Sequence, residues 1–301
     1  PTLPVNMKAQ KNDTEIAHLR QAMRKDGVAL TKLYRWLEGV LSERKVSEYD
    51  LARQLDRFRQ SQGNYYGESF HAIVGYEANG AIVHYRPRED SSASIRSEGL
   101  LLVDSGGQYL EGTTDITRTV ALGAPTDEQK RVFTLVLKGH IALARARFPE
   151  GTTGVQLDTL ARLPLWMEGL NYGHGTGHGV GFFLNVHEGP QGIAAQPASK
   201  SAKPLKAGML TSNEPGYYKT DAYGIRTENL ILCKASPQAG FLEFETLTLF
   251  PIDLRLIDEG LLTRAEREWL NRYHERVYEA LQPLLTREEA DWLARKCAPL
   301  S

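Results

Sequence analysis

Cysteine is nearly absent. Cys233 and Cys297 are the two in 301 residues, far apart and outside any metal-binding spacing. They exclude a disulfide framework and fit a reducing compartment, so a cytoplasmic location is expected. Long hydrophobic runs are also missing: none approaches the roughly 20 residues of a membrane span. The opening stretch PTLPVNMKAQKNDTE has no apolar signal-peptide core. Neither sign of charge dominates, with 36 Lys and Arg against 37 Asp and Glu. That balance gives no electrostatic footprint for nucleic acid or an anionic membrane. No low-complexity linker divides the chain, so one α+β domain is expected. There is no initiator Met, and a fragment of a longer chain is the expectation. Hydrophobic residues make up 41%, enough for a sizeable core.

Helical periodicity marks DTEIAHLRQAMRKDG, ending at Gly27, then VALTKLYRWLEGVL and SEYDLARQLDRFRQ. The last opens with Ser47 as N-cap and Asp50 three residues on. HAIVGY and AIVHY, split by EANG, predict a hairpin. A long helix is predicted within TDEQKRVFTLVLKGHIALARARF and another in VQLDTLARLPLWMEG. Strands return at GMLTSNE, GIRTENLILC and ETLTLFPI, and the tail from Thr263 predicts two helices parted by Pro283.

The stretch LLLVDSGGQYLEGTTDITRTV is the most informative. Its apolar run Leu100–Val103 ends in Asp104, and a second strand-like run, Thr113–Val120, carries Asp115 in its middle. A related pattern recurs downstream, where GMLTSNEPGYY and RTENL carry Glu214 and Glu228. Each copy is a strand ending in an acid, a Gly–aromatic turn, then a Thr–acid pair in another strand. Such an echo predicts two halves related by a pseudo-twofold axis, with four carboxylates meeting at the junction. Any one of these acids alone reads as a turn cap or half of an ion pair. Four together, if buried, would repel one another and be driven toward the protonated form. Two divalent cations would balance their charge. Oxygen-rich ligands favour Mn²⁺, with Co²⁺, Fe²⁺ and Zn²⁺ as alternatives. Two ions bridged by carboxylates and a hydroxide are a recurring hydrolytic device.

Between the copies lies NYGHGTGHGVGFFLNVHEGP, with His174, His178 and His187 among alternating glycines. Val180 and Phe182 break the G-x-G-x-x-G register, so the dinucleotide fingerprint is absent. The glycines also argue against a helical HExxH zinc site. They suit a backbone that turns sharply or comes close to a ligand.

The ordered segments DSGGQYLEGTTDITRT, GHGTGHGVGFFLNVHEGP, TSNEPGYY and GIRTEN resemble the Xaa-Pro aminopeptidases (aminopeptidase P). These belong to the superfamily of prolidase, methionine aminopeptidase and creatinase. The likeness runs from about residue 10 to the C-terminus, and the tail LIDEGLLTRAEREWLNRYHERV is similar to the larger, eukaryotic-type branch. The resemblance implies the α+β pita-bread fold, with a core over about 1–250 and a helical extension over 251–301 in one catalytic unit. The one or two domains that usually precede this unit are expected to be absent. It implies five metal ligands, Asp104, Asp115, His178, Glu214 and Glu228, with Asp115 and Glu228 bridging two ions. His84, His174 and His187 match substrate-side histidines, and Arg226 and Tyr218 match residues that support the ligands.

The implied reaction removes an N-terminal residue that precedes proline, with a metal-bridging hydroxide as nucleophile. His187 or His84 would stabilise the oxyanion and Glu214 would carry a proton to the leaving nitrogen. The substrate amine would bind near the ion held by Asp104. Phe182, Phe183 and Leu184 are expected to form an apolar wall for the proline ring, the core being their other reading. Expected partners are peptides with proline second and a second copy of the chain in a homodimer. Three rival readings are a dipeptide-restricted prolidase or a methionine aminopeptidase, a metal-free creatinase-like enzyme, and a non-catalytic binding module.

Overall fold

The computed structural model describes residues 2–197 and 200–301; Pro1, at which the expected catalytic unit opens, lies outside them. A short helix, Leu3–Ala9, has Pro4 in its first turn, where the missing N–H costs nothing. The helix Asp13–Val40 follows, and Asn12 and Glu15 cap each other's backbone N–H groups at 2.9 Å. It runs unbroken through Gly27, where the sequence predicts a stop. The glycine is there for packing. A Cβ on it would sit 2.4 Å from the Leu249 carbonyl oxygen and 2.9 Å from a Leu281 methyl. The helix Glu48–Gln60 begins as expected, with Ser47 and Asp50 as a reciprocal cap.

The two halves repeat one unit. In the first, strand Leu100–Ser105 leads through the tight pair Gly107–Tyr109 and Gly112–Thr113 to strand Ile116–Ala121, which returns antiparallel with Asp104 opposite Thr117. In the second, Leu210–Asn213 leads through Gly216–Lys219 and Tyr223–Arg226 to Asn229–Ala235, which returns with Asn213 opposite Asn229. Asp115 and Glu228 fall in the gaps before the returning strands, where the sequence predicts continuous strands. Each gap lets the chain leave one sheet and enter another. Ile73–Tyr76 adds an outer strand to the first half, and Phe241–Thr246 with Arg147–Pro149 extends the second.

The halves are sewn together at Thr117–Thr119 and Arg226–Glu228. Glu228 N–H donates to the Thr117 carbonyl at 3.1 Å, and Arg226 N–H donates to Thr119 Oγ1 at 3.1 Å. Arg118, buried at the seam, donates to the carbonyls of Glu228 (2.6 Å), Phe250 (2.6 Å) and Pro251 (3.0 Å), and to the Tyr273 hydroxyl (2.9 Å). Tyr273 lies on Arg264–Leu281, which with Arg287–Lys296 forms the two predicted C-terminal helices. Their Leu270, Val277, Leu281 and Leu293 join Leu19, Leu33 and Leu37 in one hydrophobic cluster.

The predicted AIVHY strand does not form. A 3-10 turn, Glu77–Ala81, ends the preceding strand, and residues 82–85 pair with no strand among the described residues. Glu48, fully buried, explains the detour. Its carboxylate accepts from Tyr76 N–H (2.7 Å), Ala93 N–H (2.9 Å), Asn79 Nδ2 (3.0 Å) and the Tyr85 hydroxyl (2.7 Å). Cys233 and Cys297 are free. Among the described residues, no helix is long and apolar enough to cross a membrane.

The long helix yields two substitutions of opposite sign. Alanine is favoured over glycine within a helix by about 1 kcal/mol. Gly39 is exposed on this helix, with nothing within 4 Å of its built Cβ, so Gly39→Ala should raise the melting temperature. At Gly27 the clash with backbone outweighs that gain, since overpacking costs about 1–3 kcal/mol or more. Gly27→Ala should lower the melting temperature, and thermal denaturation of both variants checks the contrast.

Candidate metal centre

Asp104 ends the strand Leu100–Ser105, and Glu214 follows Asn213 at the end of the matching strand. Asp115 and Glu228 enter from the two gaps. His178 comes from the glycine-rich segment, through a two-residue pairing with Gly192–Ile193. The alternating glycines divide by role. A Cβ on Gly177 would meet the Ser212 carbonyl oxygen at 2.0 Å, and one on Gly179 the Glu188 carbonyl oxygen at 2.1 Å, whereas Gly173 has open space. The two glycines flanking His178 therefore let its backbone press against its neighbours.

The five side chains converge. Asp115, His178 and Glu228 each offer a ligand atom, all within 4.8 Å of one another. His178 Nε2 lies 3.4 Å from Asp115 Oδ2 and 3.3 Å from Glu214 Oε1. Its Nδ1 is 3.1 Å from the Gly179 carbonyl, which leaves Nε2 free to ligate. Ser212 Oγ accepts from His178 N–H and donates to Glu214 Oε1, each at 2.9 Å. Thr117 Oγ1 donates to Glu228 Oε2 at 2.7 Å. Arg226 Nη2 donates to Asp104 Oδ2 at 2.6 Å.

Electrostatics shows what the cluster lacks. Asp115 is pushed well above the usual carboxylate range, first by burial and then by Asp104 and Glu214. Burial and Asp115 do the same to Glu228, and burial raises Glu214. Arg226 is the cation paired directly with the group. Asp104 Oδ1 and Glu228 Oε1 are buried with no hydrogen-bond partner among the described residues. Orphaned oxygens on carboxylates held close together are what a hard divalent cation would satisfy. The donor set of four carboxylates and one imidazole therefore fits metal.

All five open on a cavity of about 300 Å³, with His84, His187 and Arg226 also in its wall. His187 packs edge-on against His178, ring centroids 4.1 Å apart. Burial, then His178, lowers its pKa to about 4, so it is neutral near pH 7. His84 stands exposed at the mouth, on the segment that Glu48 anchors through Tyr85.

Two expectations need correction. His174 is not in the cavity wall. Its Nε2 meets the Tyr218 hydroxyl at 2.8 Å, and Tyr218 accepts from Arg226 at 2.6 Å, so both residues stand behind Arg226. Nor do Phe182, Phe183 and Leu184 line the cavity. Phe182 stacks on His18, Phe183 meets Tyr66 edge-on, and the Leu184 carbonyl accepts from Gln108 and Thr113. The chain turns away at Phe183, where φ is 51°. The apolar wall is instead Phe70, Ile73, Val83 and Val186. Of these, Ile73 is set beside the acids by pairing in register with Asp104. A larger cavity, about 570 Å³, lies apart against Tyr34, Phe250 and Trp292. Its acids Glu38 and Asp253 are already paired with Lys296 and Arg255.

Comparison with known proteins agrees with this geometry. Residues 17–235 match metallopeptidase family M24, and residues 240–300 match the C-terminal region of the same family. A probable Xaa-Pro aminopeptidase P of Laccaria bicolor is 47% identical over 98% of this chain and 47% of its own length. Aminopeptidase P2 of Arabidopsis thaliana is 46% identical over 98% of this chain and 42% of its own. The X-prolyl aminopeptidase of Caenorhabditis elegans, described as a cytosolic enzyme with a di-nuclear active site, superposes with a TM-score of 0.95 at 41% identity, over 99% of this chain and 50% of that one. The Xaa-Pro dipeptidase of Bacillus anthracis superposes with a TM-score of 0.72 at 30% identity, over 84% of this chain and 65% of that one. The chain spans about half the length of the aminopeptidase relatives it matches. With its two related halves and shared carboxylate junction, the chain belongs to metallopeptidase family M24 and has that family's α+β pita-bread fold.

Proposed function

We propose that this chain is the catalytic unit of a Xaa-Pro aminopeptidase, a cytosolic metallo-exopeptidase that releases the first residue of peptides with proline second. The observation that carries the reading is the convergence of Asp104, Asp115, His178, Glu214 and Glu228 around buried oxygens that lack partners among the described residues. Those five residues would hold two divalent ions, Mn²⁺ being favoured by the oxygen-rich donors. When bound, the ions supply a hydroxide nucleophile near neutral pH and polarise the scissile carbonyl.

The chain's own groups do the rest. Glu214, in the cavity wall beside His178 and hydrogen-bonded by Ser212, is placed to deliver a proton to the leaving prolyl nitrogen. Neutral His187 is suited to donate a hydrogen bond to the developing oxyanion, with His84 in the same cavity wall. An Xaa-Pro bond has no N–H, so a proline pocket needs shape rather than a hydrogen-bond acceptor. Phe70, Ile73, Val83 and Val186 offer that surface. A free substrate amine would sit near the ion held by Asp104. A dipeptide-restricted prolidase shares this machinery and differs in the peptide length it accepts.

The test of the function is a peptide series with Mn²⁺ supplied. Arg-Pro-Pro should be cleaved at its first bond, and Arg-Ala-Ala and N-acetyl-Arg-Pro-Pro should resist. Cleavage of the alanine peptide at a similar rate would indicate a general aminopeptidase, and cleavage of the acetylated one would exclude the exopeptidase reading.

The roles of the residues separate by metal content. Asp115→Ala and Glu228→Ala should each lose both ions and all activity. His187→Ala should keep both ions and lose about 10²–10³-fold in kcat, as for removal of one oxyanion donor. Elemental analysis beside kinetics checks this, and equal metal loss in all three variants would contradict it.

The pH dependence of stability follows from the raised carboxylates. The metal-free folded state keeps protons on Asp115, Glu214 and Glu228 that the unfolded chain releases near about pH 4. Stability from these groups is thus full at acid pH and is lost as pH rises through the folded-state values. Metal competes with the same protons, so the gain in melting temperature on adding Mn²⁺ should grow from about pH 5.5 to about pH 8. Melting curves with and without metal check this; a gain that shrinks as pH rises would be inconsistent with buried, protonated ligands.

A further inference from the structure

The helix Gly154–Trp166 contributes nothing to the described wall of the catalytic cavity. Two charges one turn apart on it, Asp158 and Arg162, are nonetheless 0% and 4% exposed. A buried ion pair is weak evidence for stability, because well-packed apolar residues often serve as well. What the guanidinium does with its remaining donors is therefore informative.

Arg162 Nε donates to Asp158 Oδ2 at 2.6 Å. Its other nitrogens reach into the glycine-rich segment. Nη1 donates to the Tyr172 carbonyl at 2.7 Å and to Asn171 Oδ1 at 3.0 Å, and Nη2 donates to the His174 carbonyl at 2.7 Å. The guanidinium also lies 3.9 Å over the Tyr172 ring. Asp158 Oδ1 accepts from Thr176 Oγ1 at 2.5 Å, and that hydroxyl is 2.5 Å from the Tyr172 hydroxyl. The pair thus grips 171–176 from the side away from the cavity.

The His174 ring leaves the gripped segment on the other side. Arg226 can only donate, so the Tyr218 hydroxyl accepts from its Nη1 and spends its own proton on His174 Nε2. His174 then carries its proton on Nδ1 and donates to the Gly175 carbonyl at 2.8 Å. The same guanidinium of Arg226 holds Asp104 Oδ2 through Nη2.

We propose that Asp158 and Arg162 are positioning residues for the catalytic centre. They fix the backbone of 172–174 so that His174 meets Tyr218, and through Tyr218 they aim Arg226 at Asp104. Neither residue touches the reacting atoms. The kinetic part of the inference rests on the proposed peptidase activity; the structural part does not.

The test uses the metal-loaded chain and Arg162→Lys. Lysine keeps the charge and can pair with Asp158, but a single ammonium lacks the planar fork that also reaches two carbonyls. Asp158→Asn, which keeps an acceptor for Thr176, is the second variant should the first fail to fold. Histidine nitrogen NMR, with His174 assigned through His174→Gln, should show a neutral ring protonated on Nδ1 in the unaltered chain. Its signals should shift in either variant while those of His140 and His274, buried elsewhere, stay put. With Arg-Pro-Pro, kcat should fall by about 10–100-fold with KM within about twofold and both ions retained, as a small misplacement in a reacting centre produces. Unchanged His174 signals, or unchanged kcat per folded metal-loaded molecule, would reduce the pair to a fold element and overturn the inference. Loss of metal in the variants would overturn it too. Failure of the unaltered chain to cleave any Xaa-Pro peptide would refute the peptidase reading alone, and the NMR comparison would still decide the positioning role.

Discussion

Four carboxylates that repel one another inside a protein are the constraint around which this structure is arranged. Asp104, Asp115, Glu214 and Glu228 are held together at the seam, and Arg226 is the cation paired directly with them. Left so, the cluster must take up protons. Two divalent cations held by these residues would offset the charge of the four acids. The site is thus electrically incomplete in a way that names its ligand. The surrounding scaffold reads as the means of holding the acids together despite their repulsion.

That scaffold uses one device twice. In each half a strand delivers an acid at its end, a tight antiparallel pair reverses the chain, and a gap before the returning strand delivers a second acid. Arg118, on the returning strand of the first half, locks the seam by donating to the Glu228 carbonyl across it, and with Tyr273 it meets Asn229 Oδ1, which ties the C-terminal helices to the strand that follows Glu228. Fully buried Glu48 plays the corresponding part for the segment bearing His84. Asp158 and Arg162 grip the segment bearing His174. Flexible-looking, glycine-rich or turn-rich pieces around the cavity are therefore each fastened from behind by a buried charge.

The four acids at the seam were legible in the sequence because their chemistry is out of place. An acid at the end of an apolar run is conspicuous, and the same oddity in two copies defines a junction. What was not legible depends on contacts between distant residues. Gly27 looks like a helix stop because a local pattern cannot show that Leu249 and Leu281 press on that point of the helix. Residues 81–85 have a strand's composition, but Glu48, distant in sequence, draws Tyr85 and Asn79 out of any sheet. Phe182 to Leu184 sit beside the histidines in sequence, yet the left-handed turn at Phe183 carries them away, and the apolar wall comes from four residues spread between positions 70 and 186. Asp158 and Arg162 look like an ordinary surface pair one helical turn apart, and burial alone distinguishes them.

Binding of two metal ions by this cluster is what every proposed role around the cavity depends on. The most direct measurement is anomalous diffraction from crystals grown with saturating Mn²⁺ and recorded on both sides of the manganese absorption edge. Two peaks about 3.5–4 Å apart, as in other two-metal sites, with Asp115 and Glu228 between them and Asp104, His178 and Glu214 completing the shells, are predicted. A single peak, or peaks elsewhere while the four carboxylates keep their present arrangement, would contradict it.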